Sequence, residues 1–154
     1  MNKCYTKVIE NGCADYQSYY VLGYMEIANS KFLDGILYLK KSIELDSTYA
    51  SSYYNLAYAY MSIERNDSAL KYAKKSLNLY EDTIYKSDAA SMIGSIYMSL
   101  KDEKNARYYY EISNKISPNN YYTLKPLLYL YHKSRKQKYG KYLLVSGQKR
   151  TKNI

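Results

Sequence analysis

The amino-acid sequence predicts an all-α superhelix: a solenoid of three helix pairs with a C-terminal capping helix. Three observations carry that prediction. The chain overlays itself at shifts of 34 and 37 residues. Within each copy, apolar residues recur at helical spacing. Its 154 residues include only six Gly and two Pro, too few for an all-β fold with many turns. The length suits one compact domain rather than two, and a hydrophobic content of 47% can build a core.

Taken in order, residues 1–15 read as a partial or capping helix. Tyr5, Val8 and Ile9 form a short stripe ending at Asn11-Gly12, either the last turns of an earlier repeat or a simple cap. The first pair spans 16–49 and the second 50–86. A shift of 34 carries Tyr19, Tyr20, Leu22, Gly23 and Tyr24 onto Tyr53, Tyr54, Leu56, Ala57 and Tyr58. In the second pair Tyr53, Leu56, Ala57, Tyr60 and Met61 make one helical stripe. Ala69, Tyr72, Ala73, Ser76 and Leu77 make the next. Asn66 or Asp67 is the expected cap between them. The third pair, 87–120, follows at a shift of 37, with three extra residues in the connection around Glu81–Lys86. Small residues at Gly23, Ala57 and Gly94 face small residues at Gly35, Ala69 and Ala106, where paired helices must approach closely. A capping helix is expected over 121–133, on Leu124, Leu127, Leu128 and Tyr131. Pro126 suits only a first turn, which makes Thr123 its expected N-cap. Residues 134–154 read as a basic tail, in which Tyr139, Tyr142, Leu143 and Val145 could continue as a short helix.

These residues resemble the tetratricopeptide repeat. The third copy is the most faithful, with Ile93-Gly94, Tyr97, Ala106, Tyr110, Ser113 and Pro118. The second keeps Tyr53, Leu56-Ala57, Tyr60 and Ala69. The first departs where Glu26 replaces the usual aromatic residue and Gly35 the usual Ala. The resemblance implies a non-enzymatic scaffold that holds a peptide or helix of another protein in its concave groove. Helical phase puts Gln17, Tyr20, Val21, Tyr24 and Ile27 on that face in the first pair. Ser51, Tyr54, Asn55, Tyr58 and Met61 follow in the second, and Asp88, Ser91, Met92, Ser95 and Met98 in the third. The capping helix adds Tyr122, Lys125, Tyr129 and His132. Of these, Gln17, Tyr20, Tyr24, Tyr54, Asn55, Tyr58, Met61, Met92 and Tyr129 are the expected peptide-binding residues. Tyrosine offers large area, few rotors and a hydroxyl, and the Asn55 amide can both donate and accept.

Some relatives of the family grip the acidic C-terminus of heat-shock chaperones with Lys, Asn and Arg. Asn55 matches the asparagine of that clamp, but Tyr20, Tyr24, Asp88 and Met92 occupy the other positions and Asp88 would repel a carboxylate, so that ligand is not expected. A small secretion-type chaperone with three such repeats is an alternative reading.

Other function classes find little support. The single His132 has no acid near it in sequence, and there is no glycine-rich phosphate loop, so no enzyme and no cofactor are expected. Cys4 and Cys13 match no common metal spacing and read as free thiols in a reducing, cytoplasmic setting, with no secretory signal ahead of them. No apolar run reaches transmembrane length. The 24 Tyr against one Phe, and Lys in excess of Arg, also fit a compositional bias in which Tyr does the packing work of Phe.

The net charge of +9 is unevenly placed. Residues 1–111 hold 13 Lys/Arg and 14 Asp/Glu, whereas 112–154 hold 10 Lys/Arg and no acid. Lys133, Arg135, Lys136, Lys138 and Lys141 are thus an expected anion-binding tail for nucleic acid or lipid headgroups, weak, non-specific and salt-sensitive.

Overall fold

The computed structural model describes residues 14–118 and 120–150, with 137–150 described by their backbone alone. Its helices are α1 Tyr16–Ala28, α2 Phe32–Leu45, α3 Ala50–Ser62, α4 Asn66–Leu79, α5 Thr83–Ser99, α6 Glu103–Ile116 and α7 Tyr121–Arg150. Among the described residues there is no strand. The expected helix within 1–15 falls almost wholly outside the described residues.

Helix α1 packs on α2, α3 on α4 and α5 on α6, and each second helix packs on the first helix of the next unit. First helices also touch in series, α1 to α3, α3 to α5 and α5 to α7, whereas α2, α4 and α6 do not touch one another. The first helices therefore line the inside of the curve and the second helices its outside, as the solenoid reading requires.

Each pair turns in the same way. The residue after the C-cap of the first helix has positive φ: Ser30 at 61°, Glu64 at 59° and Lys101 at 60°. The next amide reaches back five residues, Lys31 to Glu26, Arg65 to Tyr60 and Asp102 to Tyr97, closing a Schellman cap. This register fixes where the second helices start. Arg65 is the N-cap of α4 and makes no side-chain cap bond, and Asn66 and Asp67 lie inside the first turn rather than capping it. Only the third turn carries a capping side chain there, Asp102, which accepts from the Asn105 amide at 3.1 Å.

Two expected boundaries move. Helix α5 begins at Thr83, because Asp82 Oδ1 accepts from the amides of Ile84 and Tyr85 and turns the three extra residues into helix. Helix α7 begins at Tyr121, with the Asn120 side chain accepting from the Tyr122 amide. Thr123 is therefore not the N-cap: it is buried within the helix and bonded to Ser113. Pro126 sits a turn deeper than expected and leaves the Tyr122 carbonyl without its helical amide. Nor does the backbone break at 133, since the residues of 134–139 can all continue a helix and the weakening glycines, Gly140 and Gly147, come later.

The small residues answer to close packing. A Cβ on Gly35 would lie 2.6 Å from Ile27 Cγ1 and 3.0 Å from the Gly23 carbonyl, and one on Gly94 would lie 2.8 Å from the Tyr110 ring. Ala57, Ala69 and Ala106 are fully buried. Ile27, Ile36, Leu39, Leu56 and Ala59 join the first two pairs, and Ala57, Ala73, Met92, Ile93 and Ile96 join the next. Ala106, Tyr110, Leu127 and Leu130 seat α7. Ile27, phased toward the groove, is thus a core residue.

A tyrosine-lined cleft on the concave face

Along a helix, positions three, four and seven apart share a face. Tyr54, Tyr58 and Met61 of α3 therefore point the same way, as do Asp88, Ser91, Met92 and Ser95 of α5. With Tyr122 of α7 they line a cleft of about 450 Å³. Met92 is its floor, since it also belongs to the core beneath.

Helix α1 adds an adjoining patch of tyrosine. Tyr20 and Tyr24 stack at 6.5 Å between centroids, and Tyr49 meets Tyr20 edge-on at 5.1 Å. Gln17 donates to the Tyr16 hydroxyl. The Asn55 amide nitrogen donates to Tyr20 Oη at 3.3 Å and to the Ser51 carbonyl at 3.1 Å. Its donors thus tie α1 to α3, and its two-way capacity for a peptide backbone is reduced to its oxygen. Tyr129 is exposed but does not line the cleft. It lies two turns, roughly 10 Å, beyond Tyr122 along α7.

Periodicity did not reveal Tyr80, which falls on Asp46 under the shift of 34. Tyr80 packs edge-on against Tyr54, stacks on Tyr85 and donates to Ser51 Oγ. Burial pushes the Tyr54 hydroxyl well above the usual tyrosine range, and the neighbouring Asp88 charge adds to the effect. Burial pushes Tyr80 up to about 12. These phenols stay protonated and keep an O–H to donate.

Asp88 is the one carboxylate in the lining, which contains no Lys, Arg or His. Its Oδ1 accepts from Asn120 Nδ2 at 2.7 Å. The five expected anion-binding residues all fall on α7. Lys133 pairs with Glu103 of α6, while Arg135 and Lys136 are exposed further along α7. The side chains of Lys138 and Lys141 lie outside the described residues. Among the described residues no cluster of three or more His, Cys, Asp or Glu could hold a metal. None of their helices is long and apolar enough to cross a membrane.

No curated protein matches the chain. Solved structures do. MamA is 26% identical, with a TM-score of 0.78 over 97% of this chain and 88% of its own. The first repeat domain of Spaghetti (RPAP3), bound to the HSP90 peptide SRMEEVD, is 18% identical with a TM-score of 0.72, over 79% and 94%. The Sgt2 repeat domain from Aspergillus fumigatus is 17% identical with a TM-score of 0.72, over 82% and 83%. The tetratricopeptide-repeat family model matches residues 50–83 and 87–120, the second and third helix pairs. With a first pair of the same architecture and neighbours built the same way, the chain is a tetratricopeptide-repeat protein.

Proposed function

We propose that this protein is a non-enzymatic scaffold whose concave cleft holds a peptide or helix of another protein. The observation that carries the reading is the cleft itself. It is large enough for a few side chains and is walled by tyrosine and methionine, with hydroxyls and one carboxylate. The Spaghetti domain holds a peptide ending in Glu-Glu-Val-Asp. That ligand does not suit this cleft, because a carboxylate would meet Asp88 and no cation in the lining.

Tyr24 and Tyr58 are 53% and 42% exposed, so truncating them removes ligand-facing area with little core. The variant Tyr24→Ala/Tyr58→Ala is expected to keep the helical circular dichroism of the wild type. It is also expected to lose partners that the wild type retains in a pull-down. Identical partners for both proteins would remove the groove from consideration.

A further inference from the structure

The cleft is charged in one sense only, and among the described residues its tyrosines carry no cation of the chain's own, unlike several on the outer surface. On the outer surface the chain lays its own cations over tyrosine rings. Lys40 lies 5.9 Å from the Tyr60 centroid, Lys71 5.5 Å from Tyr72, Lys74 5.7 Å from Tyr97 and Lys75 6.0 Å from Tyr53. Tyr54, Tyr58 and Tyr122 have no such partner among the described residues. Beside them Asp88 receives one amide hydrogen bond and, among the described residues, forms no ion pair. A carboxylate next to aromatic faces, in a cleft without a protein cation, is complementary to a cation brought by the ligand. We infer that the cleft selects a segment carrying a lysine or arginine. The cation would sit between Asp88 and the faces of Tyr54, Tyr58 and Tyr122, and the flanking apolar residues on Met61 and Met92.

This rests on the reading of the cleft as a binding site, and the test separates the two. The probes are fluorescent, end-blocked peptides of leucine and tyrosine with one central arginine, one central norleucine or one central glutamate. They are titrated by anisotropy against the wild type, Asp88→Asn and Tyr58→Ala. Asn at 88 keeps an oxygen for the Asn120 amide, and matched thermal melts confirm the fold. The arginine peptide is expected to bind the wild type at least tenfold more tightly than the other two. Asp88→Asn should erase most of that preference, and Tyr58→Ala should weaken every peptide that binds. Equal binding of arginine and norleucine, unaffected by Asp88→Asn but weakened by Tyr58→Ala, overturns the cation and leaves the groove. No binding by any peptide overturns both.

A second inference comes from the repeat register at the other end. Residues 121–154 are the 34 that follow the third repeat. In that register Ala106 falls on Gly140 and Ser113 on Gly147, the two small positions of a second helix. The positive-φ residues Ser30, Glu64 and Lys101 fall on Arg135. Leu124, Leu128 and Tyr131 of α7 are exposed, whereas Ala90 and Gly94, which share the register of the first two, are buried. We infer that α7 has a second arrangement. It breaks at 134–136, and residues 137–150 turn back along Leu124, Leu128 and Tyr131 as the second helix of a fourth repeat. Labels on Tyr121→Cys and Lys149→Cys, with Cys4→Ser and Cys13→Ser, read the difference in the full chain. The continuous helix separates them by about 42 Å, and the hairpin brings them to roughly 10 Å. Dilution with unlabelled chain keeps the distance intramolecular. A population at the short distance supports the hairpin, and the long distance alone overturns it.

Discussion

Tyr110→Ala is expected to destabilise the protein by about 3–5 kcal/mol, lowering the melting temperature by roughly 6–20 °C. Tyr110 is 2% exposed, packs with Ala106, Leu127 and Leu130 beneath α7, and bonds through its hydroxyl to Ser95 Oγ at 3.0 Å. Truncation removes a whole ring from a site bounded by two helices that α7 must also touch. The same ring is why position 94 is glycine, since a Cβ there would lie 2.8, 2.9 and 3.0 Å from three of its carbons. Gly94→Ala alone should therefore lose stability. The contact outweighs the gain of roughly 1 kcal/mol that alanine brings to a helix interior. In the Tyr110→Ala background the contact is gone, and Gly94→Ala should restore about 1 kcal/mol. The expected coupling is about 2 kcal/mol. Additive effects in chemical denaturation would show that Tyr110 does not impose the glycine.

Much of this architecture was legible because repetition reports the same physics several times. Gly23, Ala57 and Gly94 share one phase, and any one of them alone would have been a chance small residue. The concave faces of α3 and α5 were legible for the same reason, because three-and-four spacing defines a face without tertiary information. What escaped depends on contacts that no period encodes. Thr123 reads as a cap from its residue type, but Asn120 captures the first amides and leaves Thr123 buried within the helix. Asn55 reads as a ligand-binding amide, but its donors are held by Tyr20 and Ser51. Lys133 reads as part of a basic run until α7 docks and brings Glu103 beside it. Tyr80 closes the wall behind Tyr54 from a connection, where the repeat changes length and the register carries no signal.

A periodic signal that was present but silent leads to the other large effect. Ser42, Ser76 and Ser113 recur at one phase, and all three are fully buried. At the last interface the hydroxyls form a closed set. Ser113 Oγ donates to the Ser87 carbonyl at 2.9 Å, Ser87 Oγ donates to the Ser113 carbonyl at 3.2 Å, and Thr123 Oγ1 lies 2.6 Å from Ser113 Oγ. Assigning the Thr123 proton to Ser113 gives every hydroxyl one acceptor, while Asn120 Nδ2 donates to Ser87 Oγ at 3.0 Å. Ser113→Ala strips that arrangement of its centre and takes from the buried Thr123 hydroxyl its partner. The expected loss is about 2 kcal/mol. The equivalent contact is absent in the middle of the molecule, where Ala89 stands at the position of Ser52 and Thr123. There Ser76 Oγ turns back to the Ala73 carbonyl of its own helix, at 2.8 Å. Ser76→Ala, with the same burial and the same atoms removed, should therefore cost less than about 1 kcal/mol. Replacing both partners at the last interface, Ser113→Ala with Thr123→Val, should recover part of the loss, because no polar group is then left stranded. Equal losses for Ser76→Ala and Ser113→Ala in urea denaturation would mean that burial of serine, and not the bridge to α7, is what the repeat preserves.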